Sequence, residues 1–130
     1  MAKTRVLLAD DHAAIIMRVQ WQLGEEFDIV GTAKNGQEAV EAVLRLDPDV
    51  LIMDISMPVL DGFQAAASIR NAGSKTKVIF LTVHEDADFV SAAFSSGASG
   101  YVTKSQLSTD LRRAIHEAIE GRSFISSLGV

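Results

Sequence analysis

The 130-residue sequence contains no cysteine. This absence excludes a disulfide framework and a thiolate metal site, and it favours a reducing compartment, the cytoplasm. Long apolar runs are also missing, since none reaches the roughly 18 residues that span a bilayer. The apolar segment at residues 6–9 is too short for a signal peptide, because Asp10 and Asp11 interrupt it. We therefore expect a cytoplasmic protein with no membrane association.

Positive charge is scarce as well. Lysine and arginine number 12 against 17 aspartates and glutamates, which leaves a formal net charge of -5. A chain with this balance lacks the basic surface that binds phosphate backbones, so DNA binding would need another module. The composition, 48% hydrophobic and 22% charged, is typical of one globular domain.

Aromatic residues make up only 6% of the chain. The single tryptophan, Trp21, lies in a helical pattern, where we expect a core or half-buried position. His116 lies on the polar flank of the last helical stripe and is expected to be an ordinary solvated residue. No G-x-G-x-x-G pattern follows the first apolar run, so a dinucleotide fingerprint is absent.

What the sequence does contain is a regular alternation of short apolar runs and helical stripes. The apolar runs lie at residues 6–9, 27–30, 50–53, 78–81 and 101–102. Most are continuously apolar, which is typical of strands covered on both faces of a sheet. Asn35 and Gly36 are expected to open the second helix, and Gly97 and Gly121 to close the fourth and fifth. Five strand-then-helix repeats predict an α/β fold with a parallel, doubly wound sheet.

Polar residues follow four of the five predicted strands. Asp10 and Asp11 follow the first, Asp54 the third, Thr82 the fourth and Lys104 the fifth. Taken singly, each has an ordinary explanation as a helix cap, a loop residue, a strand-end hydroxyl or a solvated charge. Together they should meet at one edge, because ligands of open parallel sheets bind beyond the carboxyl ends of the strands. A functional site is the better interpretation.

The charges of these residues indicate a cation. Two carboxylates ~4 Å apart repel by about 4 kcal/mol at an effective dielectric of 20, so three cannot sit together uncompensated. A donor set of oxygens, with no histidine or cysteine, favours Mg²⁺ over zinc. Mg²⁺ commonly binds together with a phosphate, which indicates phosphoryl chemistry.

Five motifs carry a family resemblance. They are LLADDH at residues 7–12, VLIMDISMP at 50–58, LDG at 60–62, VIFLT at 78–82 and GYVTK at 100–104. In this order they resemble the receiver domains of two-component response regulators, over residues 4–121. The closing segment is most similar to the subfamily that precedes a LuxR-type helix-turn-helix. The resemblance implies a flavodoxin-like fold with a five-stranded parallel sheet, strand order 2-1-3-4-5, and helices on both faces.

The resemblance also assigns the acceptor and the metal site. Asp54 would be the phosphoacceptor. Asp10, Asp11, Asp54 and the backbone carbonyl of Ser56 would hold Mg²⁺ directly or through water. These roles suit phosphoryl transfer, whose loose transition state needs positioning and charge neutralisation more than covalent help.

Further residues are implied as switch elements or modulators. Lys104 would pair with the phosphoryl group, and the Thr82 hydroxyl would donate to a phosphoryl oxygen. The Tyr101 ring would then turn from solvent into the space behind Thr82, unless it is a half-buried strand aromatic with one rotamer. Ser56 is small and leaves the acceptor open. His84 either shields the acyl phosphate from water, guides water to it, or is a plain exposed loop residue.

The implied function is that of a phosphoacceptor switch, not an enzyme with external substrates. A sensor histidine kinase would donate the phosphoryl group, and a homodimer is left open. We expect a receiver domain over residues 1–122, while residues 123–130 form a tail or the start of a linker. Transcription would be regulated through a DNA-binding output domain not in this chain. The alternatives are a stand-alone receiver acting by protein–protein interaction and an aspartyl-phosphate phosphohydrolase, for which the chain leaves little room.

Overall fold

One sheet of six parallel strands organises the computed structural model, which describes residues 2–127. The strands are β1 (Arg5–Ala9), β2 (Asp28–Ala33), β3 (Val50–Met53), β4 (Lys77–Thr82), β5 (Gly100–Thr103) and β6 (Phe124–Ile125). Their order across the sheet is β2-β1-β3-β4-β5-β6. The helices are α1 (Ala13–Leu23), α2 (Gly36–Leu46), α3 (Gly62–Asn71), α4 (Ala87–Ser95) and α5 (Leu107–Ile119), with a 3₁₀ helix at Lys104–Gln106.

Helices cover both faces of this sheet and create two apolar cores. Successive strand residues alternate between them: Leu7 and Leu51 pack on the face with α2 and α3, whereas Leu8 and Ile52 pack on the face with α1 and α5. Burial on both faces explains why the strands are continuously apolar. The predicted doubly wound, flavodoxin-like architecture is confirmed, and no helix within residues 2–127 is long and apolar enough to cross a membrane.

The ends of the helices agree with the turn residues that the sequence predicted. The Asn35 side chain accepts a hydrogen bond from the Glu38 backbone at 2.8 Å and begins α2. Gly97 (φ 105°) and Gly121 (φ 80°) follow the last residues of α4 and α5 in the left-handed region, as expected. At Gly62 the reason for glycine is space, because a Cβ there would overlap the carbonyl oxygen of Asp54.

The sixth strand is an addition to the predicted five. It is only two residues long and leaves no periodic pattern to detect. The backbone N–H of Ser126 donates to Tyr101 O at 2.9 Å, and its hydroxyl donates to Asp110 Oδ2 at 2.7 Å. Residues 123–127 of the predicted tail therefore pack beside β5 and α5, while residues 128–130 lie outside the described part of the chain.

The expectation for Trp21 is wrong. Trp21 is 88% exposed, although Val19 and Leu23 of the same helix are buried. Two residues of helix rotate a side chain by about 200°, so Trp21 points away from the face that carries its neighbours. His116 is solvated as expected, with 58% of its side chain exposed and Nε2 2.9 Å from Glu26 Oε2.

One exposed valine adopts a backbone conformation that valine disfavours. Val59 has φ 71° and is 79% exposed in the loop before α3. A left-handed conformation costs about 1–2 kcal/mol for an ordinary L-residue, and asparagine tolerates it better. We expect Val59→Asn to raise the free energy of unfolding by about 1 kcal/mol, measured by urea denaturation. Val83→Asn, at a 68% exposed loop valine, is the matched control, and an equal gain there would contradict the backbone explanation.

Candidate functional site

Three aspartates form an acidic cluster (Asp10, Asp11, Asp54) at the carboxyl edge, where the carboxyl ends of the strands meet. Strands β1 and β3 are neighbours with Ala9 opposite Met53, so the residues that follow them lie side by side. The Asp54 backbone N–H donates to Ala9 O at 3.0 Å and fixes this approach. Asp10 and Asp54 are each only 5% exposed. The structure therefore brings together the carboxylates that the sequence predicted to meet.

Lys104 lies between two of these carboxylates. Its Nζ is 3.1 Å from Asp10 Oδ2 and 3.1 Å from Asp54 Oδ2, with 11% of the side chain exposed. Burial lowers the pKa of Lys104, but hydrogen bonds and charge attraction from Asp10 and Asp54 outweigh it, so the pKa lies above its ordinary value. Lys104 is thus a fixed cation at neutral pH.

Backbone and lysine donors orient the Asp54 carboxylate. Oδ1 accepts from the Ile55 N–H at 2.7 Å, and Oδ2 accepts from Lys104. Beside it lies an open groove of about 560 Å³ whose wall includes Asp11 and Ser56. Carboxylate oxygens that converge from Asp10, Asp11 and Asp54 match the hard-cation preference of Mg²⁺. The donor set fits the metal that the sequence indicated.

His12 is a further neighbour of these oxygens, and the sequence patterns did not predict it. Its Nδ1 lies 3.0 Å from Asp10 Oδ1 and 3.1 Å from Asp11 Oδ1. His12 and the three aspartates of the acidic cluster each offer one ligand atom, and these atoms all lie within 4.8 Å of one another. The sequence feature that could have indicated this contact is adjacency, because His12 directly follows Asp10 and Asp11. The possible metal donors near the site therefore include a nitrogen as well as oxygens.

Thr82 and Tyr101 lie on the neighbouring strands β4 and β5, and both are fully buried. Thr82 Oγ1 accepts from the His84 N–H at 3.3 Å, and the Tyr101 hydroxyl donates to His84 O at 2.8 Å. The Tyr101 ring is therefore in the inward position, and neither solvent-facing nor half-buried. His84 connects the two residues through its backbone.

The His84 side chain contacts two residues of the groove wall, Ser56 and Phe89. Its Nε2 shares a hydrogen bond with Ser56 Oγ at 3.1 Å, and its ring stacks on Phe89 with centroids 4.1 Å apart. The two suggested modulators, Ser56 and His84, are thus in direct contact beside the acidic cluster.

Comparisons with known proteins identify the family. A family model described as response regulator receiver domain matches residues 6–116. The chain is a response regulator receiver domain. It is 36% identical over 124 residues to an uncharacterized transcriptional regulatory protein, YvfU, of Bacillus subtilis (strain 168), covering 94% of this chain and 62% of that protein. It is 29% identical over 123 residues to the nitrate/nitrite response regulator protein NarL of Escherichia coli (strain K12), covering 93% and 57%.

Solved receiver structures agree with this assignment. The signal receiver domain of the putative response regulator NarL from Mycobacterium tuberculosis superposes with TM-score 0.89 at 31% identity, covering 94% of this chain and all of that one. A LuxR-family two-component response regulator from Aurantimonas sp. SI85-9A1 gives TM-score 0.91 at 30% identity, covering 96% and 91%. The expected subfamily is confirmed. Receiver domains of response regulators are phosphoacceptors of two-component systems and not classical enzymes.

The receiver domain spans about half the length of the curated relatives it matches, from 43% to 62% in the first four. Several of those relatives are transcriptional regulatory proteins.

The buried phenol of Tyr101 gives a direct test of its inward position. Burial, followed by the negative charges of Asp86 and Asp54, raises the pKa of Tyr101 from 10.0 to about 12. The contribution of the neutral phenol to the stability of the fold is therefore complete below pH 10. It is lost as the pH rises through the pKa of Tyr101 in the folded protein. Because Tyr101 is the only tyrosine, absorbance at alkaline pH should report it alone, with a midpoint near 12 when folded and near 10 in urea. A folded midpoint near 10 would place the phenol in solvent.

Proposed function

We propose that this receiver domain accepts a phosphoryl group on Asp54 from a sensor histidine kinase in the cytoplasm. The observation that carries the proposal is the oriented Asp54 carboxylate, buried at the carboxyl edge and bonded to Ile55 N–H and Lys104. A carboxylate oxygen of Asp54 forms a bond to phosphorus while the phosphorus–nitrogen bond to the kinase histidine breaks. The bonding pair returns to the imidazole nitrogen, which takes up a proton.

Mg²⁺ is the proposed cofactor. Asp10, Asp11, Asp54 and the backbone carbonyl of Ser56 would hold it, and when bound it would neutralise negative charge on the aspartates and the phosphoryl oxygens. Support comes from the converging carboxylate oxygens and from the presence of Asp11 and Ser56 in one groove wall. The exposed position of Asp11 leaves it accessible to an entering ion.

The remaining roles concern the phosphorylated state. Lys104 would pair with the phosphoryl group and Thr82 would donate its hydroxyl to a phosphoryl oxygen. The His84 N–H donates to Thr82 Oγ1, and the Tyr101 hydroxyl donates to His84 O. These two hydrogen bonds support a coupled movement of the loop before α4. The Ser56–His84 pair stands beside Asp54 and would modulate the lifetime of the acyl phosphate.

The proposed output of the switch is a change in transcription. Transcription would be regulated by a DNA-binding domain in a polypeptide longer than the present chain, as the subfamily suggests. A homodimer is compatible with this output, because two dimers of the related protein RcsB (27% identity, TM-score 0.87) are bound to two parallel DNAs. The net charge of -5 supports placing DNA contact outside this domain.

Incubation with Mg²⁺ and acetyl phosphate should add one acid-stable, base-labile phosphoryl group, measured by intact mass. Asp11→Ala should need a much higher Mg²⁺ concentration for the same occupancy, because the site loses a charged ligand. Asp28→Ala, at the opposite end of the sheet, is the control. An unchanged Mg²⁺ requirement in Asp11→Ala would remove Asp11 from the metal site, and repeated turnover of a generic phosphomonoester would favour a hydrolase.

A further inference from the structure

His12 supplies a nitrogen donor at the proposed Mg²⁺ site. Its Nδ1 is 3.0 Å from Asp10 Oδ1 and 3.1 Å from Asp11 Oδ1. We propose that His12 is itself a metal ligand, through Nδ1, and that this nitrogen makes the site bind Ni²⁺ and Zn²⁺ more tightly than its oxygen donors alone would. This inference rests on the proposed metal-binding role of Asp10 and Asp11.

His12 Nδ1 lies at the spacing of neighbouring ligands on one ion from each of the two carboxylate oxygens. Ligands at 2.0–2.1 Å from an octahedral ion lie about 3 Å apart when they are adjacent. The separations from His12 Nδ1 to the two carboxylate oxygens are 3.0 and 3.1 Å. One ligand atom from each of His12, Asp10 and Asp11 lies within 4.8 Å of the others, so the three side chains can face a common ion.

The imidazole contacts the aspartate pair and does not cap the helix that follows it. His12 is the N-cap residue of α1, yet its side chain makes no capping hydrogen bond. Its position is held instead by the backbone, whose N–H donates to Asp10 Oδ1 at 2.8 Å. The side chain is 64% exposed, so it can adjust to an ion without disturbing the core.

Donor chemistry predicts for which ions the binding affinity depends on His12. Mg²⁺ binds oxygen and keeps several waters, whereas imidazole suits the later first-row metals. Removing the imidazole should therefore lower the affinity for Ni²⁺ or Zn²⁺ by about tenfold or more, and change the affinity for Mg²⁺ by no more than about threefold. The competing explanation is that the imidazole only donates a hydrogen bond to the carboxylates, in which case all these ions should respond alike.

Mn²⁺ alone provides the most direct probe. Pulsed electron paramagnetic resonance of the Mn²⁺-loaded full chain should show the ¹⁴N coupling of a directly bound imidazole. His12→Ala should lose that coupling while Mn²⁺ stays bound through the aspartates. His116→Ala removes a histidine that lies beside Glu26, away from the acidic cluster, and should retain it. Calorimetric titrations with Mg²⁺, Ni²⁺ and Zn²⁺ give the affinities, and circular dichroism checks folding.

The outcomes separate this inference from the proposed function. Loss of ¹⁴N coupling in His12→Ala alone, with a selective loss of Ni²⁺ or Zn²⁺ affinity, supports the inference. If the parent shows no ¹⁴N coupling from imidazole, or if the coupling persists in His12→Ala, the inference is overturned. The proposed Mg²⁺-dependent phosphorylation is unaffected by either result. Failure of every ion to bind overturns the inference together with the metal site itself.

Discussion

Asp54→Asn is expected to abolish incorporation of the phosphoryl group from acetyl phosphate. The substitution keeps the size and shape of the side chain but replaces a nucleophilic carboxylate oxygen with an amide, which cannot form a stable acyl phosphate. The surrounding donors, Ile55 N–H and Lys104 Nζ, stay in place. Intact mass after incubation with Mg²⁺ and acetyl phosphate should therefore show only unmodified protein.

A matched control separates the acceptor from other aspartates. Asp88→Asn changes an exposed aspartate in the first turn of α4 and should be phosphorylated like the parent. Urea unfolding of both variants establishes that each is folded under the assay conditions. Equal labelling of Asp54→Asn and the parent would move the acceptor to another residue.

Lys104→Met should lower the free energy of unfolding by about 3 kcal/mol when no divalent metal is present, because it leaves two buried carboxylates without their cation. Methionine keeps the apolar stem, so the change isolates the charge. Asp10 and Asp54 would each lose a contact of 3.1 Å. Added Mg²⁺ should restore part of the loss, since the ion replaces the missing positive charge. Urea unfolding with and without Mg²⁺ measures both effects.

The pH dependence of this difference has a definite sign. The pKa of Lys104 is raised in the folded protein, so its contribution is complete below the ordinary lysine pKa and is lost as the pH rises through the folded value. The gap between parent and variant should therefore persist at neutral pH and close only under strongly alkaline conditions. Lys75→Met, at an exposed lysine, is the control. Equal stability of Lys104→Met and the parent without metal would show that the carboxylates need no lysine.

The fold and the meeting of charged residues could be predicted because both follow from patterns along the chain. Strand β3 has the predicted bounds, since Val50 to Met53 are buried on both faces and leave no polar interruption. Parallel strands then bring their carboxyl ends together whatever the details of packing, which is why Asp10, Asp54 and Lys104 meet.

The missed features depend on side-chain rotamers or on elements too short for a pattern. The imidazole of His12 reaches the carboxylates only in one set of side-chain angles. The inward ring of Tyr101 is likewise a rotamer, fixed by the carbonyl of His84. Trp21 differs, because its exposure follows from its helical position relative to Val19 and was available from the sequence.

The direction of β6 has a practical consequence for fusions and labels. All six strands are parallel, so β6 ends at the same edge as Asp54. The Thr103 N–H donates to Ser126 Oγ at 3.3 Å, one residue before Lys104. A fluorophore or partner domain joined after residue 127 would thus start at the same edge of the sheet as Asp54, with β4 and β5 between β6 and β3. A label joined before Arg5 would start at the opposite edge of the sheet. The two attachment points would therefore report a change at Asp54 from the same edge and from the opposite edge.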